Sequence, residues 1–109
     1  MDKIKGEIKN KGIVKMKTPN INALLNMTKS FLHGKVSGFE YSLDFPYEYE
    51  QRHQKILREN QLLAELIYDC LIQGGVYRYD DLNEDEFMEV IAEEYYYIID
   101  VRKGNVDII

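Results

Sequence analysis

Apolar positions recur three and four residues apart along most of this chain, the spacing that gathers side chains on one face of an α-helix. The first such run follows Thr18-Pro19. Ile21, Leu24, Leu25, Thr28, Phe31 and Leu32 fall on a single stripe. A threonine hydroxyl before the run can cap it, and proline at the first helical position loses no hydrogen bond, since that N–H has no helical partner. Gly34 supplies a left-handed stop. The pattern predicts a helix from Thr18-Pro19 to about His33, whose place in the last turn suits the helix dipole.

Ser37-Gly38-Phe39-Glu40 reads as a capping box, in which the serine hydroxyl and the glutamate carboxylate each satisfy the other residue's free backbone N–H. A short second helix is expected to about Asp44 or Phe45. Pro46 disfavours helical geometry at Phe45 and can itself open a third helix. Residues 46–73 keep the helical pattern, with a break expected near Asn60. The run after it places Leu62, Leu63, Leu66, Ile67, Cys70 and Leu71 on one stripe, and Gly74-Gly75 ends it. Asn83-Glu84-Asp85-Glu86 repeats the capping-box logic. It opens a last helix to about Lys103, with Phe87, Ile91, Ile98 and Val101 buried, carboxylates in its first turn and Arg102-Lys103 in its last.

Residues 1–17 alternate imperfectly, with Ile4, Ile8, Ile13, Val14 and Met16 among lysines and a turn signal at Asn10-Lys11-Gly12, and they read as a short β-hairpin or a basic arm. The expected fold is therefore all-α: a compact bundle of four or five helices over residues 18–109, preceded by that arm or hairpin.

Charge changes this picture because it is divided unevenly. Residues 1–36 carry eight lysines against Asp2 and Glu7, a balance of +6, whereas Ser37 to Ile109 carry six basic against seventeen acidic residues, a balance of −11. An acidic body repels nucleic acid and attracts basic proteins. At 109 residues, with 45% apolar and 30% charged positions, the chain has the make-up of one ordinary globular domain. No apolar run reaches the length of a membrane span, and the single cysteine, Cys70, excludes an intrachain disulfide. A cytoplasmic protein with no membrane contact is the expectation.

Few groups could carry catalysis or hold a metal. Glu50-x-x-His53 has the spacing of helical di-metal sites, but such sites need two of these pairs and the chain has two histidines in all. Asp81-Leu82-Asn83-Glu84-Asp85 imitates the start of a calcium loop, yet the position that needs glycine is Glu86 and the one that needs the final glutamate is Ala92. Cys70 reads as a packing residue of its apolar stripe. His33 and His53 could form an acid–base pair, but the acidic body opposes a polyanionic substrate. No catalytic residue, metal or cofactor is expected. A protein partner is.

The last helix carries the most informative cluster. Glu86, Glu89, Glu93, Tyr96 and Asp100 follow one another at intervals of 3, 4, 3 and 4 residues, on the face opposite Phe87, Ile91 and Ile98. Successive turns set such groups about 5.4 Å apart, a spacing of the same order as phosphates along a nucleic acid strand. Further candidate acidic positions are Asp80, Asp81 and the Glu48–Glu50 region. Nine tyrosines without a tryptophan add interface-prone side chains. Of Tyr95, Tyr96 and Tyr97, at least Tyr96 should be exposed. Glu94 lies near the apolar stripe and should be buried and paired, or mark an interface.

The run INALLNMTKSFLHGKVSGFEYSLDF resembles the N-terminal helical hairpin of colicin D immunity proteins and related bacterial immunity proteins. The matching elements are Ile21, Leu24 and Leu25, then Phe31-Leu32, Lys35-Val36 and Glu40-Tyr41. Met16 suits that family's usual start, which leaves residues 1–15 as an extension. The resemblance implies an antitoxin: an acidic helical protein that binds and covers the active site of a cognate nuclease toxin, of the tRNA-cleaving kind or of contact-dependent inhibition systems, without binding nucleic acid itself. It carries no individual toxin-binding residue, since the matching stretch is mostly core. The alternative is an acidic helical adaptor or regulatory protein that docks on an unrelated basic partner.

Overall fold

The computed structural model describes residues 17–104, and within them every regular element is helical. The all-α expectation holds. The hairpin or arm at 1–17 lies, except for Lys17, outside the described residues, as does the tail after Gly104. We number the helices α1 (Pro19–Leu32), α2 (Gly38–Glu59), α3 (Gln61–Ile67) and α4 (Glu84–Arg102). Helix α3 runs on into a π-helical turn, Tyr68–Gln73, and a 3-10 helix, Val76–Asp81, leads to α4.

Helices α1 and α2 form an antiparallel hairpin around Gly34, whose φ of +79° is open to glycine at little cost. The Ser37 capping box forms as expected, with Glu40 N–H donating to Ser37 Oγ at 3.0 Å and Ser37 N–H donating to a Glu40 oxygen at 3.2 Å. Thr18, however, makes no side-chain cap on α1. The cap comes from the far end of α2: the Glu59 carboxylate accepts from the backbone N–H of Asn20 at 2.9 Å and of Ile21 at 2.9 Å, and from the Asn20 amide at 2.7 Å. Freed from capping, the Thr18 hydroxyl accepts from Arg102 of α4 at 2.9 Å, and Arg102 also reaches Asn22. The start of α1 is thereby tied to the ends of both α2 and α4.

Pro46 does not divide the chain into two helices. Helix α2 passes straight through it for 22 residues. A proline inside a helix costs about 3 kcal/mol in lost hydrogen bonding and crowding. Against this, Tyr41, Phe45, Tyr49 and Ile56 form one unbroken buried stripe across the proline. Burying a side chain such as Phe45 contributes about 2 kcal/mol, so a stripe of four outweighs a local rule. The break at Asn60 does occur there: Asn60 takes extended backbone angles and its side chain caps α3 through Leu63 N–H at 3.0 Å.

The core joins aliphatic side chains of α3 and the π-helical turn, Leu63, Ile67, Leu71 and Ile72 among them, to an aromatic seam between α1, α2 and α4. Phe31 stacks on Tyr41 with ring centroids 4.8 Å apart, Tyr41 meets Phe45 at 5.1 Å, and Phe31 meets Phe87 at 5.4 Å. The Tyr41 hydroxyl, shut in this seam, shares a 2.7 Å hydrogen bond with the buried Thr28 hydroxyl. Five expected stripe members differ, among them Leu32, Leu66 and Cys70, which are only half-buried. Leu62 is exposed, because the stripe that α3 buries is Leu63, Ile67 and Leu71 at four-residue spacing, joined by Ile72 from the π-helical turn. Val101 is only half-buried, and Tyr95 takes the place beside Ile98. Among the described residues no helix is long and apolar enough to cross a membrane.

Candidate functional site

Helix α4 begins in the second capping box: Glu86 N–H donates to Asn83 Oδ1 at 2.8 Å, and Asn83 N–H donates to a Glu86 oxygen at 3.0 Å. The calcium-loop imitation at Asp81–Asp85 is thus used to start a helix. With the helix buried on Phe87, Ile91, Tyr95 and Ile98, the opposite face follows by geometry. Glu86, Glu89, Glu93, Tyr96 and Asp100 are all exposed on it. At 1.5 Å per residue this acidic ridge is about 21 Å long. One Glu86 oxygen is engaged in the cap. Among the described residues, the one ion pair is Arg52 with Glu48 at 3.1 Å, so none of those cations neutralises the ridge.

The other acidic candidates are scattered. Asp80 and Asp81 are exposed on the 3-10 helix. Glu48 is half-buried in its pair with Arg52, which also donates to Asn20 at 2.7 Å. Glu50, two residues on, faces another side of α2. The Glu48–Glu50 region is therefore not one surface, since positions two apart on a helix diverge by about 200°. Glu94 is half-buried with its carboxylate beside the Cys70 thiol. Burial first, and then this carboxylate, push the Cys70 thiol up to about 12, which leaves it a protonated packing group.

A second concave site was not foreseen. A groove of about 810 Å³ opens between α2 and the segment from α3 through the 3-10 helix. Tyr47, Tyr49, His53, Tyr68 and Tyr77 supply its aromatic surface, with Glu50, Glu65 and Asp69 at its edges. Tyr49 holds the middle: its ring lies 5.5 Å from that of His53 and 5.7 Å from that of Tyr68, and its hydroxyl donates to the Ala64 carbonyl at 3.1 Å. Burial, then the neighbouring Tyr68, Asp69 and Glu65, push the Tyr49 hydroxyl up to about 12. The neighbouring Tyr68, then burial and Glu50, raise the Tyr77 hydroxyl as well. Among the described residues, no lysine or arginine lines this groove. His53 does line it, whereas His33 caps the far end of α1, so the groove does not join the two histidines. Among the described residues, no cluster of three or more His, Cys, Asp or Glu side chains is placed to hold a metal ion.

No family model, curated protein or solved structure matches the chain. The site's chemistry must therefore speak through its own residues. It offers one convex acidic face and one concave face that is both aromatic and acidic, each suited to cationic protein surface and opposed to phosphate.

Proposed function

We propose that this chain is an immunity protein, an antitoxin that binds a cognate nuclease toxin of the tRNA-cleaving kind and blocks its active site. The observation that carries this reading is the exposed acidic ridge of α4, about 21 Å of carboxylates at helical spacing. A nuclease must present a basic groove to hold phosphates, and a rigid helix bearing carboxylates at a comparable spacing competes for it. The resemblance of residues 21–45 to the colicin D immunity hairpin supports the same reading. Inhibition of this sort needs occupancy alone, so the protein works without catalysis and without a cofactor. Its place of action is the cytoplasm, where a tRNA-directed toxin finds its substrate.

The test is neutralisation. An immunity gene is expected directly after a large toxin gene. The nuclease domain encoded there should cleave tRNA when pure and stop when one equivalent of this chain is added. Undiminished cleavage would overturn the antitoxin reading, and the ridge would then belong to an adaptor for another basic partner.

A further inference from the structure

The groove between α2 and α3 is a different surface from the ridge, shares no residue with it, and has a more particular chemistry. We infer that it is a binding site for an arginine side chain presented by an exposed basic segment of a protein partner, stacked on the tyrosine rings and paired with Glu50, Glu65 and Asp69. If that partner is the toxin, the inference rests on the immunity reading for the partner's identity; the site itself does not depend on it.

Four features point to a guanidinium. The groove's surface is aromatic, and a planar cation gains from lying over a tyrosine face, an attraction that strengthens as water is excluded. Its acidic groups stand on both sides: Glu50 comes from α2, near the Tyr77 hydroxyl, while Glu65 and Asp69 come from α3 and the π-helical turn, near Tyr49. A carboxylate on each wall suits a forked donor better than a compact ammonium. Among the described residues of the lining no Lys or Arg competes for these carboxylates, although Gln61 donates to Glu65 at 3.0 Å. Finally, Tyr68, Asp69 and Ile72 reach the groove from the π-helical turn, a costly local geometry that recurs at functional sites.

The occupant is part of a protein and not a lone small cation because the surface continues outward. Tyr47 and Tyr77 are 62% and 63% exposed at the rim. One and two turns before Tyr47 on the same helix, Leu43 and Phe39 are 57% and 59% exposed. The resulting apolar strip on α2 offers contact area to residues that flank the arginine, as interface aromatics do.

The experiment titrates the full chain with blocked Gly-Arg-Gly and with the isosteric, uncharged Gly-citrulline-Gly, and follows the tyrosine ring resonances by NMR. The arginine peptide should shift Tyr47, Tyr68 and Tyr77 saturably, and the citrulline peptide should bind at least tenfold more weakly. Glu65→Gln with Asp69→Asn, both at exposed positions, should weaken the arginine peptide about tenfold while leaving the fold intact. Tyr47→Ala should weaken it further, because the stacking surface is lost. Equal binding of the two peptides, or shifts confined to Tyr96 on the ridge, would overturn the proposal. Because no toxin enters this assay, its outcome is independent of whether the chain neutralises one.

Discussion

Removing the Glu59 carboxylate should loosen the bundle at the point where three helix ends meet. Glu59 accepts from two backbone N–H groups and one side-chain amide at the start of α1, so it satisfies donors that the helix cannot satisfy itself and places a negative charge at the positive end of the dipole. Loss of an ordinary N-cap costs about 0.5–2 kcal/mol, and hydrogen bonds to a charged group are worth about 1.5–3 kcal/mol. Helix α1 cannot simply fray to escape, because Ile21, in its first turn, is fully buried. We therefore expect Glu59→Ala to lose about 2–3 kcal/mol, which lowers the Tm by about 10 °C for a domain of this size. Glu59→Gln, which keeps an acceptor but not the charge, should lose about half as much. The pH dependence has a definite sign. Burial alone would raise this carboxyl, but the hydrogen bonds from Ile21 and Asn20, with Arg52 nearby, outweigh it and hold the group below its ordinary 4.5. Its contribution is thus fully present above pH 4.5 and is lost as pH falls through the lower folded value. Urea denaturation of wild type and Glu59→Gln, followed by circular dichroism at pH 7 and pH 3, reads both effects. A Glu59→Ala variant within about 0.5 kcal/mol of wild type, or a difference that does not shrink at pH 3, would refute the trans-capping role.

In the aromatic seam, Thr28→Val should cost about 1–3 kcal/mol by leaving the Tyr41 hydroxyl buried without a partner, whereas Tyr41→Phe should cost about 1 kcal/mol, since Thr28 still bonds the Leu24 carbonyl at 3.3 Å. Equal losses by urea titration would contradict that ranking. Cys70 should react with iodoacetamide far more slowly than an unfolded thiol at pH 7.5, because its raised pKa keeps the thiolate scarce until strongly alkaline pH; reaction at the unfolded rate would contradict its burial against Glu94. At Gly75 an added Cβ would meet the Leu71 carbonyl and lie 2.7 Å from Ile91 Cδ1, so Gly75→Ala should destabilise by about 1–3 kcal/mol. Gly34→Ala, which meets open space and suffers only its positive φ, should cost about 1 kcal/mol, and thermal melts that reverse this order would count against the packing.

What could be read from the chain divides by the distance over which each interaction acts. Both capping boxes span three residues, and the acidic ridge lies on a single helix, so all were visible in local spacing. The Glu59 cap joins residues 38 and 39 positions apart and has no local signature, whereas local spacing points to Thr18. Pro46 misled for the opposite reason. Its local preference is real, but the buried stripe from Tyr41 to Ile56 acts across it. The groove draws on α2, α3, the π-helical turn and the 3-10 helix, and only the abundance of tyrosine and the proximity of Glu50 to His53 hinted at it.

The acidic ridge as a docking face is tested most directly by reversing Glu89 and Glu93 to lysine and measuring affinity for the cognate nuclease domain at low and moderate salt. Both side chains are exposed and point away from the core, so the fold should persist, and relief of like-charge repulsion should leave the Tm unchanged or slightly raised. If the pair enters a basic groove and is desolvated there, affinity should fall by several kcal/mol, most steeply at low salt, whereas a rim position would lose only about 1 kcal/mol. Unchanged affinity at both salt concentrations, with an unchanged melting curve, would exclude the ridge of α4 as the binding face.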